Sequence, residues 1–158
     1  MTDPLLKYRE QHKHRLNYMP WLYWSLKPKH REWAEAWQAE YQAYLMEMET
    51  IEIGKNCFIS PLAHIFAERG RKISIGDNTF IAADCTLHGP LEIGNEVAIN
   101  HHCILDGGRA GIKLHDQVRI AAYSHLYAFD HGMDLDRPIY QQAVTSKGIE
   151  IGRDVWLG

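Results

Sequence analysis

Residues 75–105 read IGDNTFIAADCTLHGPLEIGNEVAINHHCIL. Within this stretch Ile75, Ile81, Leu87, Ile93, Ile99 and Leu105 stand six apart without interruption. Neither the 3.6-residue period of a helix nor the two-residue period of a strand produces a strict six. Outward from it the spacing continues as Ile53, Ile59 and Ile65 upstream, and as Leu114, Ile120, Leu126, then Ile151 and Leu157 downstream. The ladder gains four residues between Ile65 and Ile75, three between Leu105 and Leu114, and nineteen between Leu126 and Ile151. Every break follows a multiple of three hexads. Such spacing describes a triangular coil with three six-residue sides that accepts insertions at one corner.

Stacked coils place three columns inward: Ile53/Ile75/Ile93/Leu114/Ile151, Ile59/Ile81/Ile99/Ile120/Leu157 and Ile65/Leu87/Leu105/Leu126. Each buried aliphatic contributes about 1.5–3 kcal/mol, and a coil has nothing to bury its face against without a neighbour. A β-sandwich with chance spacing would not keep the ladder in phase across its breaks. The fold class predicted is all-β, a parallel β-helix of about four and a half triangular coils over 51–158, with an insertion at 127–150. Glycine follows the first aliphatic of most coils (Gly54, Gly76, Gly94, Gly152), and its freedom suits a tight corner. Cys57, Cys85 and Cys103 recur at the small fifth position of their hexads. Three cysteines are too few for a disulfide framework and lack zinc-ribbon spacing. They read as small corner residues.

Residues 1–50 follow a different pattern. Asp3-Pro4 is a helix start, with a capping residue before proline at the first helical position. A second helix is expected from Pro28 to Met48, with Trp33, Trp37, Tyr41, Tyr44 and Met48 along one face. Between the helices, the aromatic cluster Tyr18–Trp24 is expected to pack against the first coils or a neighbouring subunit, peripheral membrane contact being the alternative. A helix here would also cap the open first coil, whose strand edges are otherwise unpaired.

The 158 residues carry a net charge of −3, without the basic stripe that nucleic-acid binding needs. No apolar run approaches a membrane span and no secretory signal precedes the first helix, so the expected location is the cytoplasm.

Three local stretches extend beyond the repeat: Asn100-His101-His102-Cys103-Ile104-Leu105-Asp106, Ser124-His125-Leu126-Tyr127-Ala128-Phe129-Asp130-His131, and Pro138–Gln141 with Lys147–Gly158. With the hexads they resemble the hexapeptide-repeat acyltransferases, whose fold is a left-handed parallel β-helix. The nearest likeness is to O-acetyltransferases of sugars, polysaccharide or lipopolysaccharide. The resemblance covers roughly 51–158. It implies a cytoplasmic homotrimer with sites between subunits, acetyl-CoA as cosubstrate, no metal, and transfer of a short acyl group to a sugar hydroxyl. An attacking hydroxyl must lose its proton, and a histidine with near-neutral pKa is suited to take it.

By that resemblance His131 is the general base. Asp130 or Asp106 would hold its other ring nitrogen, Asn100 and His125 would orient the acceptor, and Trp156 would line the acyl-donor side. A backbone N–H would stabilise the oxyanion.

Two rivals share the coil. A γ-type carbonic anhydrase needs three histidines around zinc. Thr86-Leu87-His88-Gly89-Pro90 resembles one fragment of its motif, but Ala83 stands where a partner histidine is expected. The other rival is a shortened, inactive or scaffolding β-helix. The sequence ends two hexads into a fifth coil, mid-motif at Asp154-Val155-Trp156-Leu157-Gly158, which reads as a fragment lacking the coils that complete the coenzyme slot.

Overall fold

A computed structural model describes residues 4–158. The helical segment comprises α1 (Pro4–Tyr18), a 3-10 turn (Pro20–Ser25) and α2 (Pro28–Met48); Asp3, the expected helix cap, lies outside the described residues. The first coil consists of β1 (Ile51–Ile53), β2 (Phe58–Ile59) and β3 (His64–Phe66). The second is β4 (Ile73–Ile75), β5 (Phe80–Ile81) and β6 (Thr86–His88), and the third is β7 (Leu91–Ile93), β8 (Ala98–Ile99) and β9 (Ile104–Asp106). The fourth is β10 (Ile112–Leu114), β11 (Arg119–Ile120) and β12 (His125–Tyr127). A hairpin, β13 (Asp130–His131) with β14 (Val144–Thr145), interrupts the coils before β15 (Ile149–Ile151) and β16 (Trp156–Leu157).

Equivalent strands pair in parallel and form the three faces of a prism: β1-β4-β7-β10-β15, β2-β5-β8-β11-β16 and β3-β6-β9-β12. The register puts Ile53 on Ile75, Ile59 on Ile81 and Ile65 on Leu87, so the three expected columns are the core. A fourth column was not anticipated. Ile51, Ile73, Leu91, Ile112 and Ile149 also stack on the first face, and all but the last are buried. Each stands two residues before the first-face aliphatic of its coil, and Ile73, Ile112 and Ile149 close the three breaks in the ladder. The corner between third and first faces absorbs length, then delivers an apolar residue inward two positions before the hexad resumes.

Gly54, Gly76 and Gly94 act through space rather than through φ. None of Gly54, Gly76, Gly94 and Gly152 has a positive φ. A Cβ on Gly76 would lie 2.6 Å from the carbonyl of Gly94 in the next coil. The left-handed positions at this corner are instead held by Asn56, Asn78, Glu96, Gln117 and Asp154. A carboxamide–carboxylate ladder runs beside them. The backbone N–H groups of Lys55, Asp77 and Asn95 donate to Asp77, Asn95 and Asp116 of the following coil, at 2.7, 2.7 and 2.8 Å. The three cysteines are free and buried, and their thiols donate to carbonyls of the next coil, Gly76, Asn100 and Ala121. Burial pushes the Cys57 thiol up, and the adjacent Cys103 thiol together with burial does the same to Cys85.

Helix α2 caps the first coil through side chains that imitate a strand. Gln38 donates to the Ile59 carbonyl (3.1 Å) and accepts from the Ile59 N–H (2.7 Å), while Gln42 donates to the Cys57 carbonyl. This task displaces the buried stripe from the expected aromatic one. Ala34, Gln38, Tyr41 and Leu45 face the coil, Trp33 and Trp37 are half-buried, and Tyr44 and Met48 lie in solvent. The aromatic cluster packs on the second face, Tyr23 against Phe58 and Trp24 against Phe80. Among the described residues no helix is long and apolar enough to cross a membrane.

Candidate active site

The helical segment covers the second face and leaves the outer side of the third open. Two outward columns run along it: His64, Thr86, Ile104 and His125, and beside them Phe66, His88, Asp106 and Tyr127. Period-two alternation puts these residues outward wherever Ile65, Leu87, Leu105 and Leu126 point in. His125 is exposed on β12, and Asp106 lies one coil away in the adjacent column.

From Tyr127 the chain leaves the prism into the hairpin. Asp130 pairs with Thr145 and His131 with Val144, and both first-named residues have solvent-facing side chains. Ser146 fastens the base of this excursion: its hydroxyl accepts from the Arg109 and Ala110 N–H groups and donates to the Ala128 carbonyl. Neither carboxylate expected to orient His131 touches it within the chain. Asp106 is occupied elsewhere, accepting the Gly108 N–H at 3.0 Å and standing 3.8 Å from Arg71 and 3.6 Å from His88.

His88 bonds Glu68 through Nε2 at 2.9 Å, with Nδ1 turned toward Asp106. That hydrogen bond holds the Glu68 carboxyl below the ordinary carboxylate range. Both ring nitrogens of His88 face carboxylates, Nε2 within hydrogen-bond distance of Glu68 and Nδ1 3.6 Å from Asp106. Among the described residues no group of three or more histidine, cysteine or acidic side chains could hold a metal ion.

The remaining expected residues lie on or beside the second face. Asn100 donates through Nδ2 to the Ile120 carbonyl at 2.7 Å, which ties two coils together. It also borders a groove of about 560 Å³ with Trp21, Trp24, Phe80 and Arg119. Trp156, 73% exposed, pairs with Arg119 in the strand register of the second face. The expected residues therefore divide between two faces: His125, Asp106 and the hairpin on the third, Asn100 and Trp156 on the second.

A cluster at the corner between these faces was missed in the sequence. Asp84, His102 and Tyr123 take the same left-handed corner position in three successive coils. Asp84 Oδ2 accepts from the Tyr18 hydroxyl at 2.8 Å and lies 3.4 Å from His102 Nε2. Bonding to Asp84 pushes the Tyr18 hydroxyl above its usual pKa. His102 stacks on Tyr123 and meets His101 with Nδ1 against Nδ1 at 2.9 Å. The signal was available in the spacing: 84 and 102 are one uninterrupted coil apart, and 123 follows after the three-residue break.

Known proteins give a partial match. No protein-family model matches the chain. Over 55 residues it is 36% identical to a dTDP-4-amino-4,6-dideoxy-D-glucose acyltransferase of Escherichia coli, covering 34% of this chain and 29% of that protein. Among solved structures it resembles AntD, an N-acyltransferase from Bacillus cereus, in two variants in complex with dTDP and coenzyme A. For one the TM-score is 0.61 at 26% identity, over 73% of this chain and 63% of AntD. For the other the TM-score is 0.58 at 29% identity, over 69% and 61%. The fold is the left-handed β-helix of the hexapeptide-repeat acyltransferases. The chain spans less than two thirds of the length of each of these relatives.

Proposed function

We propose that this chain belongs to an enzyme that moves an acetyl or other short acyl group from acyl-CoA to a nucleophile on a sugar. The observation that carries the reading is the open third face, whose outward His125 and Asp106 adjoin the hairpin bearing His131, whose imidazole bonds no side chain among the described residues. Likeness to an acyltransferase of a nucleotide-linked amino sugar, and to one crystallised with dTDP and coenzyme A, supports both substrates. Those relatives favour an amine as the acceptor group, whereas the 100–106 and 124–131 stretches favour a hydroxyl; both attack a thioester in the same way.

In this mechanism His131 takes the proton of the attacking group, the acceptor's lone pair closes on the thioester carbonyl, and the tetrahedral intermediate expels the thiolate. A preorganised backbone N–H stabilises the oxyanion. Asp130 lies next to His131 on the hairpin, and Asn100, His125 and Asp106 orient the acceptor. Trp156 supplies a flat apolar wall for the donor. The carboxylate that His131 lacks within one chain is supplied across a homotrimer interface, since an exposed hairpin projecting from a rigid prism reaches a neighbour. Both substrates are cytoplasmic metabolites, so the reaction belongs there.

The experiment is acyl transfer from acetyl-CoA to dTDP-linked sugars bearing an amine or only hydroxyls. His131→Ala should lower turnover about 100-fold or more with little change in acceptor KM. Unchanged turnover removes His131 from the chemistry, and no transfer to either acceptor overturns the function.

A further inference from the structure

The net charge of −3 conceals a local excess of the opposite sign. Between residues 4 and 31 stand seven lysines and arginines and one acidic residue, Glu10. Five basic side chains line a cavity of about 360 Å³: His12 and Arg15 of α1, Lys27 just before α2, and Lys29 and His30 in its first turn. Cavities of about 300 Å³ and more take small ligands. Among the described residues none of Arg15, Lys27 and Lys29 stands within ion-pair distance of a carboxylate, and Glu10 is engaged by Lys13.

Helix stability does not account for this arrangement. A helix macrodipole favours acidic residues at the amino end and disfavours cations there. The first turn of α2 holds no acidic residue, and the Lys27 at its cap makes no side-chain bond. His12 and His30 are packed ring against ring, 4.4 Å between centroids. Burial, then His30, Arg15 and Lys29, push the His12 imidazole below its ordinary pKa. The apolar part of the lining is Leu16, Leu22 and Leu26, and the Ser25 hydroxyl in the wall donates to the Leu22 carbonyl.

We propose that this cavity binds an organic phosphate, a phosphate or diphosphate group carrying a short apolar arm. Three permanent cations match a dianion, and the Arg15 guanidinium can grip phosphate through two parallel N–H bonds. The leucines take the arm out of water. The cations surround one concavity instead of lying along a stripe, which suits a compact anion rather than a polymer. A bound anion also favours the protonated form of His12, whose other neighbours are Arg15 from its own helix and Lys29, His30 and Trp33 from α2. The site shares no residue with the proposed reaction, and the two stand or fall separately.

The test uses the full chain with hexyl phosphate, and with inorganic phosphate and hexanol as its two halves. Calorimetric titration should show one site for hexyl phosphate, with inorganic phosphate about 10-fold weaker or more and hexanol silent. The His12 titration, followed by NMR, should move to higher pH on saturation. Arg15→Gln and Lys27→Gln should each weaken binding about 10-fold. Lys7→Gln, which removes one charge from elsewhere on α1, should change it by less than about 2-fold. Phosphatidylcholine vesicles containing about 20% phosphatidic acid separate the sources of the phosphate. Sedimentation of the chain with them, reversed by hexyl phosphate, supports the site and assigns it to a lipid headgroup. Hexyl phosphate binding without sedimentation supports the site and assigns it to a soluble ester. Sedimentation that hexyl phosphate does not reverse overturns the cavity as the site. So does a failure of hexyl phosphate to bind, or a loss in Lys7→Gln equal to that in Arg15→Gln.

Discussion

Gly54, Gly76 and Gly94 are each constrained by a neighbour one storey away. Because a Cβ on Gly76 would meet the Gly94 carbonyl at 2.6 Å, Gly76→Ala must push two stacked corners apart. Overpacking of this kind costs about 1–3 kcal/mol, and denaturant unfolding should show a loss in that range. Gly152→Ala, with nothing within 4 Å of the added carbon, should cost far less. A second residue-scale effect is electrostatic. Glu68 and Glu150 are held below the usual carboxylate range chiefly by hydrogen bonds from His88 and His115. A carboxyl that binds its proton more weakly folded than unfolded stabilises the fold above the ordinary carboxylate pKa, and ceases to as pH falls through the folded value. Both groups are exposed, so the effect is small. Thermal unfolding of Glu68→Gln and Glu150→Gln should approach that of the unaltered chain as pH drops from about 6 to about 3, the difference shrinking rather than growing.

At the scale of the element, α2 substitutes for a missing strand. Gln38 is almost fully buried and satisfies both backbone groups of Ile59. Gln38→Leu strands that N–H and C=O away from water, at about 1–3 kcal/mol for each unsatisfied group. Circular dichroism during urea titration should show a lower midpoint, with amide exchange accelerating first at Ile59.

Here the limits of the sequence become physical. The columns Ile53–Ile151, Ile59–Leu157 and Ile65–Leu126 were legible because a strict period of six matches neither a helix nor a flat strand. The Ile51–Ile149 column was not, since its members stand two residues before the hexad position, at the end of corners of unequal length, where a period of six does not look. The aromatic stripe of α2 misled by one residue because hydrophobicity cannot reveal that two glutamines are needed at a strand edge. For the site, outward His125, Asp106 and Trp156 followed from parity along the strands. The partners of Asp106 and His88 did not, because Arg71 and Glu68 come from a corner whose path the repeat leaves open. Asp84 and His102 escaped notice because corner residues in the left-handed region are usually asparagine or glycine, and chemistry was sought in the long insertion instead.

For the whole molecule, the prism has one clothed face, the second, and a hairpin reaching outward beyond the third. If the active unit is a homotrimer, light scattering should give a mass about three times the 18.3 kDa of the chain. Removing residues 130–145 in favour of a short linker should leave the coils folded, as the core columns lie outside the hairpin, but abolish transfer. A monomer with full activity would contradict the interface placement of the site.

One set of bonds between successive storeys points a single way. Thiols of Cys57, Cys85 and Cys103, the Thr79 hydroxyl, and the N–H groups of Lys55, Asp77 and Asn95 each find their acceptor in the coil that follows. These donors of a storey therefore find their shortest bonds once its successor exists, the acceptors within the storey for Cys57, Thr79 and Cys103 lying at 3.6, 3.4 and 4.0 Å. On a ribosome, which releases the amino end first, α2 can close the bottom of the first coil early, and each later coil then locks the one before it. Assembly acquires a direction that the finished prism, with its near-identical floors, would not otherwise betray. The amino-terminal helix is in this sense a starting block, and the growing edge always faces the residue not yet made.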